Sequence, residues 1–398
     1  MKVANTMEIR LQNTLNIIND IECNPGITNT EIAQKRGLSV PTISNIVNIL
    51  KNSEMVMTTG TGESSGGRRP IQLSLNPKCQ YSIGVSIARH TVYVLLIDFE
   101  GHIYEKEKYY IQFEENDEYW HEIDGLIKKK REKAPVPCEV GIALPGFVDY
   151  DQKYAFDTYT LGTPTVSIDN IYRILGVHVS IGDSCRLAAM AQVFAKNDIE
   201  DNFFILLSRR VSGILFHNRS ILNLKVSSLD IGAMIIDPTK KEAIYGAPGS
   251  FSELCSASRI IDILKKDYTI TNYEDFFVKI EKGNLEFAKM WNFYLKNLSV
   301  AIYNIFSILK VDIVIGGEMA KYIAPYIQKV KDYIKDLSPK NIQNISLHCS
   351  IYGEYDDAYG AALEARSLYL HDKLPKMLKN SAAMVPAPTK KAKSKRTK

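Results

Sequence analysis

In the run SVPTISNIVNILK, residues 39–51, the apolar Ile43, Ile46, Val47 and Leu50 recur at helical spacing. They leave Thr42, Ser44, Asn45 and Asn48 on the opposite face, with Ser39 ahead of the first turn. Hydroxyls and amides both donate and accept, and an asparagine can hold an adenine edge by two hydrogen bonds, so this face suits the reading of bases. Further on, SSGGRRP occupies residues 64–70. Glycine lets backbone approach closely, and the guanidinium groups of Arg68 and Arg69 pair well with phosphate oxygens. The chemistry on offer is recognition of a polyanion rather than bond making. A solvated linker would have the same composition, so the neighbouring elements must decide.

Those neighbours are well marked. Between Met7 and Glu22 the apolar Leu11, Leu15, Ile18 and Ile21 define one face of a first helix. Thr28-Asn-Thr-Glu31 matches a capping box and opens a short helix, TEIAQKRG, that Gly37 closes. Ser39 can cap the next helix, and Pro41 suits its first turn. A short helix, a glycine turn and a second helix with a polar outer face predict a helix-turn-helix whose second helix enters the major groove. EMVMTTG and PIQLSL then flank GTGESSGGRR, which predicts a two-stranded wing with the arginines at its tip. Residues 1–75 hold seven Lys/Arg against six Asp/Glu, so affinity is expected to rest on few phosphate contacts and on dimerisation.

Composition narrows the class further. The chain has 398 residues, 45% hydrophobic and 24% charged, which is ordinary for a soluble globular protein of two or three domains. No apolar run approaches the roughly 18–20 residues of a membrane span, and MKVANTMEIRLQ lacks the apolar core of a signal peptide, so a cytoplasmic location is expected. Six cysteines without a close pair and seven scattered histidines imply reduced thiols and no metal site. The net charge of +4 depends on the last nine residues, KKAKSKRTK, which carry six basic groups. With the preceding AAMVPAPT they have nothing to bury and read as a disordered tail.

After Pro77 the pattern turns to β-rich runs: YSIGVSI, VYVLLIDF and IYEKEKYYI, and later NFFILLS, GILFH and ILNLKV. Two such triplets, each followed by helical sequence, predict a duplicated α/β domain with a ligand cleft between lobes. The expected division is 1–76 for the DNA-binding head, 77–200 and 201–372 for the lobes, and 373–398 for the basic tail.

GLSVPTISNIVNILKNSEMV, GGRRPIQLSLN, VGIALPGFVD, IGDSCRLAAMAQ, IVIGGEMA and DDAYGAALEA, in this order across residues 8–370, resemble the ROK family of transcriptional regulators, of the xylose-repressor and N-acetylglucosamine-repressor type. The resemblance implies a winged helix-turn-helix joined to an actin-like, ribonuclease-H-like double domain that in sister proteins phosphorylates sugars. Where family kinases carry Asp-x-Gly-Gly-Thr this chain reads Ser86-Ile-Ala-Arg-His-Thr91, and where they carry Gly-Thr-Gly-x-Gly-Gly it reads Ser208-Arg-Arg-Val-Ser-Gly213. Side chains then crowd the place of the phosphates. Gly316-Gly317, where the kinases hold adenosine, is equally explained as a strand-to-helix turn. Asp183 matches the family's catalytic base, or simply caps the helix that follows; the sugar-binding asparagine before it is Gly182. Leu229-Asp-Ile-Gly-Ala233 replaces the sugar motif, with alanine for the zinc-binding histidine, and YGAPGSFSELC retains one cysteine of the zinc loop.

The expectation is therefore an α/β protein that binds a double-stranded DNA operator, with no catalytic residues, no cofactor and no metal. Ser39, Thr42, Ser44, Asn45, Asn48, Arg68 and Arg69 are its DNA-facing candidates. Pro145, Gly146, Asp183 and Asp230 are the candidates for holding a carbohydrate or related small-molecule effector, and a homodimer is expected. The rivals are an ATP-dependent sugar kinase with an appended head, and a regulator governed only by a protein partner.

Overall fold

The structure is a computed structural model. It describes residues 6–61, 70–136, 138–176, 178–195, 201–218, 220–222, 228–244, 246–268, 270–337 and 345–383. Local signals place the first elements: α1 (Thr6–Cys23), β1 (Ile27–Thr28), α2 (Asn29–Arg36), α3 (Val40–Asn52), β2 (Val56–Thr61) and β3 (Ile71–Leu75). The Thr28 hydroxyl accepts from the Glu31 amide while the Glu31 carboxylate accepts from the Thr28 amide at 2.8 Å, completing the reciprocal cap of α2. Gly37 ends α2 in the left-handed region at φ 64°. Ser39 accepts from the Thr42 amide at 3.3 Å and opens α3, whose Ile43, Ile46, Val47 and Leu50 are buried. The wing differs from the expected pair of strands: β1 joins it, giving the order β1-β3-β2. Glycines 66 and 67 and arginines 68 and 69 lie outside the described residues.

The first lobe comprises β4 (Tyr81–Ala88), β5 (Thr91–Ile97), β6 (Ile103–Tyr109), α4 (Asp117–Lys133), β7 (Cys138–Leu144), a small sheet of β8 (Phe147–Asp149), β9 (Tyr154–Phe156) and β10 (Thr165–Ser167), then α5 (Ile168–Leu175), β11 (Val179–Asp183) and α6 (Ser184–Ala195). The second comprises β12 (Asn202–Leu207), β13 (Val211–His217), β14 (Ser220–Ile221), α7 (Phe251–Cys255), α8 (Ala257–Tyr268), α9 (Tyr273–Glu281), α10 (Leu285–Leu309), β15 (Asp312–Gly316), α11 (Ala320–Ile323), α12 (Ile327–Leu337) and β16 (Leu347–Cys349). Their five-stranded sheets run β6-β5-β4-β7-β11 and β14-β13-β12-β15-β16. In both, two antiparallel pairings are followed by two parallel ones, so the lobes repeat one topology. Residues 223–227, part of an expected strand, lie outside the described residues.

The last helix, α13 (Asp356–Ala383), departs from the expected division in two ways. It packs on the first lobe, where Ala358, Tyr359, Ala362 and Leu363 share a core with Tyr93, Leu95 and Ile97 of β5. It also continues through residues 373–383, which the sequence assigned to the tail. Pro375 lies inside it and reads as a breaker, since an interior proline costs about 3 kcal/mol. Burial of Leu370 and Leu374 against the core of the head offsets that cost. Residues 384–398, with the basic run, lie outside the described residues.

Helix α13 approaches its neighbours to the limit that glycine permits. A Cβ on Gly84 of β4 would lie 1.8 Å from the Ala358 carbonyl oxygen, and one on Gly141 of β7 would lie 2.0 Å from that of Ala361. Gly84→Ala is therefore expected to abolish cooperative thermal unfolding, because backbone on both sides would have to move. Gly125→Ala, inside α4 with nothing within 4 Å of the new atom, is expected to stabilise by about 0.5–1 kcal/mol. Melting curves of the two variants test this contrast; a Gly84→Ala melt like that of the wild type would overturn it.

Candidate functional site

The outer face of α3 presents Thr42, Asn45 and Asn48 to solvent. Ser39 is exposed as well, but its oxygen serves the cap and lies 2.8 Å from the Thr42 hydroxyl. Ser44 is half-buried and its hydroxyl accepts from Asn29 of α2 at 3.1 Å, so it fixes one helix on the other. Val40, at the first position of α3, is 42% exposed. That placement escaped the periodicity argument, and an apolar group there can meet a thymine methyl. Lys51 at the far end of α3 donates to Thr58 of β2 at 2.7 Å, which holds the helix against the wing.

Beneath this face Asp20 of α1 is fully buried and accepts from Arg36 at 2.5 and 2.7 Å, with Lys35 at 2.9 Å. Burial pushes its carboxyl up, and hydrogen bonds and charge from Arg36 and Lys35 outweigh this, leaving it below the usual value. A carboxylate lowered on folding contributes stability above its unfolded pKa of about 3.8 and loses it as pH falls through the folded value. Asp20→Asn is expected to lower stability by about 1–3 kcal/mol at pH 7, and its deficit should shrink as pH drops below about 4. Denaturant titrations at pH 7 and pH 3 measure both; an equal deficit at the two values would overturn the assignment.

Between the lobes lies a cleft whose walls come from both sheets. Pro145 and Gly146, on the turn from β7 to β8, line it together with Asp183 at the end of β11. Gly146 has φ 96°, and a Cβ there would lie 2.3 Å from the Phe156 carbonyl oxygen, so backbone geometry already demands glycine. Asp183 is buried and accepts from the Arg186 amide at 2.8 Å and from the Ser228 hydroxyl at 3.3 Å. It therefore caps α6 and faces the cleft at once. Burial pushes its carboxyl up, partly offset by the Arg186 amide and guanidinium and by Ser228.

Asp230 is placed differently from the other three. Its side chain is 53% exposed, it does not line the cleft, and it meets Arg210 at 3.5 Å. Arg210, on the β12–β13 turn, also pairs with Asp157 and lies 5.1 Å over the Phe147 ring, both in the first lobe. One guanidinium thus ties the two lobes.

The cleft floor holds groups that the sequence motifs did not single out. Asp357 accepts from Ser86 at 2.7 Å, across 271 positions of sequence. Its neighbour Asp356 accepts from Gln192 at 2.9 Å and from the Gly317 amide at 3.0 Å, and burial pushes its carboxyl up to about 7. The signal that could have found them was the acidic pair heading the small-residue run DDAYGAALEA. Gly316 and Gly317 have structural duties here: a Cβ on Gly316 would lie 2.2 Å from the Phe204 ring, and Gly317 has φ 84°.

The groups that sugar kinases of this architecture use do not fit this cleft. Its two hairpin turns carry Arg89-His90 and Arg209-Arg210 where a triphosphate needs a cradle free of side chains. Cys255, the one cysteine of the zinc-loop segment, is fully buried, with its thiol directed at the Tyr294 carbonyl oxygen at 3.9 Å. Among the described residues no group of three or more His, Cys, Asp or Glu could hold a metal ion.

Comparison with known proteins agrees with the two-part architecture. Residues 82–367 match the ROK family, and residues 10–57 match a winged helix-turn-helix DNA-binding family. The xylose repressor of Bacillus subtilis strain 168 is 25% identical over 307 residues, covering 74% of this chain and 79% of that protein. A solved ROK family transcriptional regulator, described as a homologue of the Escherichia coli MLC protein, superposes with a TM-score of 0.74 at 18% identity over 94% of this chain and 99% of that one. A ROK family glucokinase from Streptomyces griseus, in complex with glucose and AMPPNP, gives 0.61 at 15% identity over 72% of this chain and 99% of that one.

Proposed function

The chain belongs to the ROK family, and from that premise we propose that it is a sequence-specific DNA-binding transcriptional repressor whose ROK portion senses an effector instead of phosphorylating it. The observation that carries the reading is the exposed face of α3, where Thr42, Asn45 and Asn48 stand clear of every core contact on a helix braced by a capped partner and a wing. Val40 and Pro41 extend that face at the end that enters the groove first. Arg68 and Arg69 are assigned to the wing tip on sequence grounds. The protein acts as a homodimer in the cytoplasm, so that two heads read two half-sites; among the described residues no helix is long and apolar enough to cross a membrane.

The effector is a carbohydrate or related small molecule held in the cleft by Asp183 and the Pro145-Gly146 turn. The repressor name of the Bacillus relative supports the class. Helix α13 supplies the route from cleft to head. Its 28 residues span about 42 Å at ~1.5 Å per residue. Asp356 and Asp357 at its start line the cleft; Arg366 midway bonds the Phe99 carbonyl at 2.7 Å and Glu22 of α1 at 2.5 Å; Leu370 and Leu374 lie in the core of the head. A ligand that prefers one arrangement of the lobes would move the start of α13, and with it the spacing of the two heads.

Selection of bound fragments from genomic DNA, followed by titration of the best fragment, tests the reading. Nanomolar binding to a recurrent, two-fold site is expected. Equal affinity for selected and scrambled duplexes would remove it. The kinase alternative is tested with ATP, magnesium and a set of hexoses, where no ADP above background is expected; turnover abolished by Asp183→Asn would establish the alternative.

A further inference from the structure

The arginines on the two turns that carry the phosphate-binding motifs of the kinases form a cluster of their own. Arg89 comes from the β4–β5 turn of the first lobe and Arg209 from the β12–β13 turn of the second, and both line the same cleft. Arg89 is exposed and Arg209 half-buried. Unlike Arg210, which is engaged by Asp157 and Asp230, neither guanidinium has an ion pair or hydrogen bond among the described residues. The field they create is felt nearby: burial lowers the pKa of His90 first, and Arg209, Arg89 and Lys265 of α8 lower it further against the hydrogen bond that His90 makes to the Gln112 amide oxygen. Glu318 lies within Coulomb range of Arg209 but makes no ion pair with it, and burial pushes the Glu318 carboxyl up.

A cleft with unpaired guanidinium groups at its mouth, one from each lobe, and hydroxyls and carboxylates on its floor is built for a ligand with two unlike ends. Arginine presents a planar fork that matches phosphate oxygens, and a guanidinium with no carboxylate partner keeps that fork free for an incoming anion even though Asp183, Glu318, Glu354, Asp356 and Asp357 line the same cleft. We propose that the effector is a phosphate monoester, its phosphoryl group held between Arg89 and Arg209 and its hydroxyl-bearing body lying toward Asp183. The two turns that cradle a triphosphate in the kinases thereby present arginines to a smaller anion. Because the two arginines belong to different lobes, the bound anion draws the lobes together from the same side as Arg210. This inference rests on the effector-sensing reading above and deepens it.

The test is calorimetric titration of the full chain with inorganic phosphate, glucose 6-phosphate, glucose and adenosine 5′-monophosphate at low and moderate salt. The expected result is that phosphate-bearing probes bind and glucose binds at least about tenfold more weakly than its phosphate. Arg89→Gln and Arg209→Gln should each weaken the phosphate-bearing probes about tenfold or more, with thermal midpoints showing that the fold is kept. Tighter binding of glucose 6-phosphate than of the nucleotide assigns the body as a sugar, and the reverse order assigns it as a nucleoside. If no phosphate-bearing probe binds, or if both variants bind them as the wild type does, the proposal is overturned. Binding of glucose that both variants retain, with no gain from its phosphate, would overturn the anion clamp alone and leave effector sensing in place.

Discussion

Asn45→Ala is expected to weaken operator binding by roughly 1–3 kcal/mol per half-site and to relax discrimination at one base pair, with little change in salt dependence. The side chain stands exposed on α3, one residue before the buried Ile46 and two before Val47, so its removal costs the head no packing. An asparagine that makes two hydrogen bonds to adenine leaves the base edge unsatisfied when truncated, and in a dimer the loss is felt twice. Arg68→Ala and Arg69→Ala are expected to act differently. Removing an arginine that pairs with phosphate should weaken binding to every sequence and lower the salt slope by about one, whereas removing one that enters the minor groove should cost roughly 1–3 kcal/mol at particular positions. Titrations of the four proteins against a selected operator and a scrambled duplex, at several salt concentrations, separate these outcomes. If both arginine variants match the wild type at every salt concentration, the wing does not touch DNA and SSGGRRP is a linker.

Leu374→Ala is expected to destabilise the protein by about 2–5 kcal/mol and to abolish the effect of ligand on operator affinity. Leu374 is fully buried within a core shared by α1, α2, α3 and the end of α13. Truncation opens a cavity where the head is packed onto the helix that starts in the cleft. Leu368→Ala offers the control, since that residue lies on the same helix but is 50% exposed, and a change within about 0.5 kcal/mol is expected there. Thermal melts report the stability difference, and operator titrations with and without a bound effector report the coupling. A Leu374→Ala protein that melts as the wild type does and still answers to effector would show that α13 is not the route.

The amino-acid sequence by itself determined the features that rest on short-range physics. The reciprocal cap at Thr28 and Glu31, the left-handed stop at Gly37, the cap at Ser39 and the buried stripe of α3 each depend on residues within one or two helical turns, and each stands as the spacing predicts. The first β triplet and the first two strands of the second were legible for the same reason, because alternating runs and tight turns are local. What only the tertiary structure decided depends on partners distant along the chain. Which sheet receives α13 turns on glycines at positions 84 and 141 meeting carbonyls at 358 and 361, a complementarity of shape that no periodicity encodes. The continuation of that helix past Pro375 is decided by buried leucines meeting α1, where packing outweighs an unfavourable local preference. Asp230 and Arg210 show the same limit: the motif gave residue types, but the direction of a side chain at a turn is set by what faces it, and Asp230 meets Arg210 without lining the cleft that Arg210 and Asp183 line.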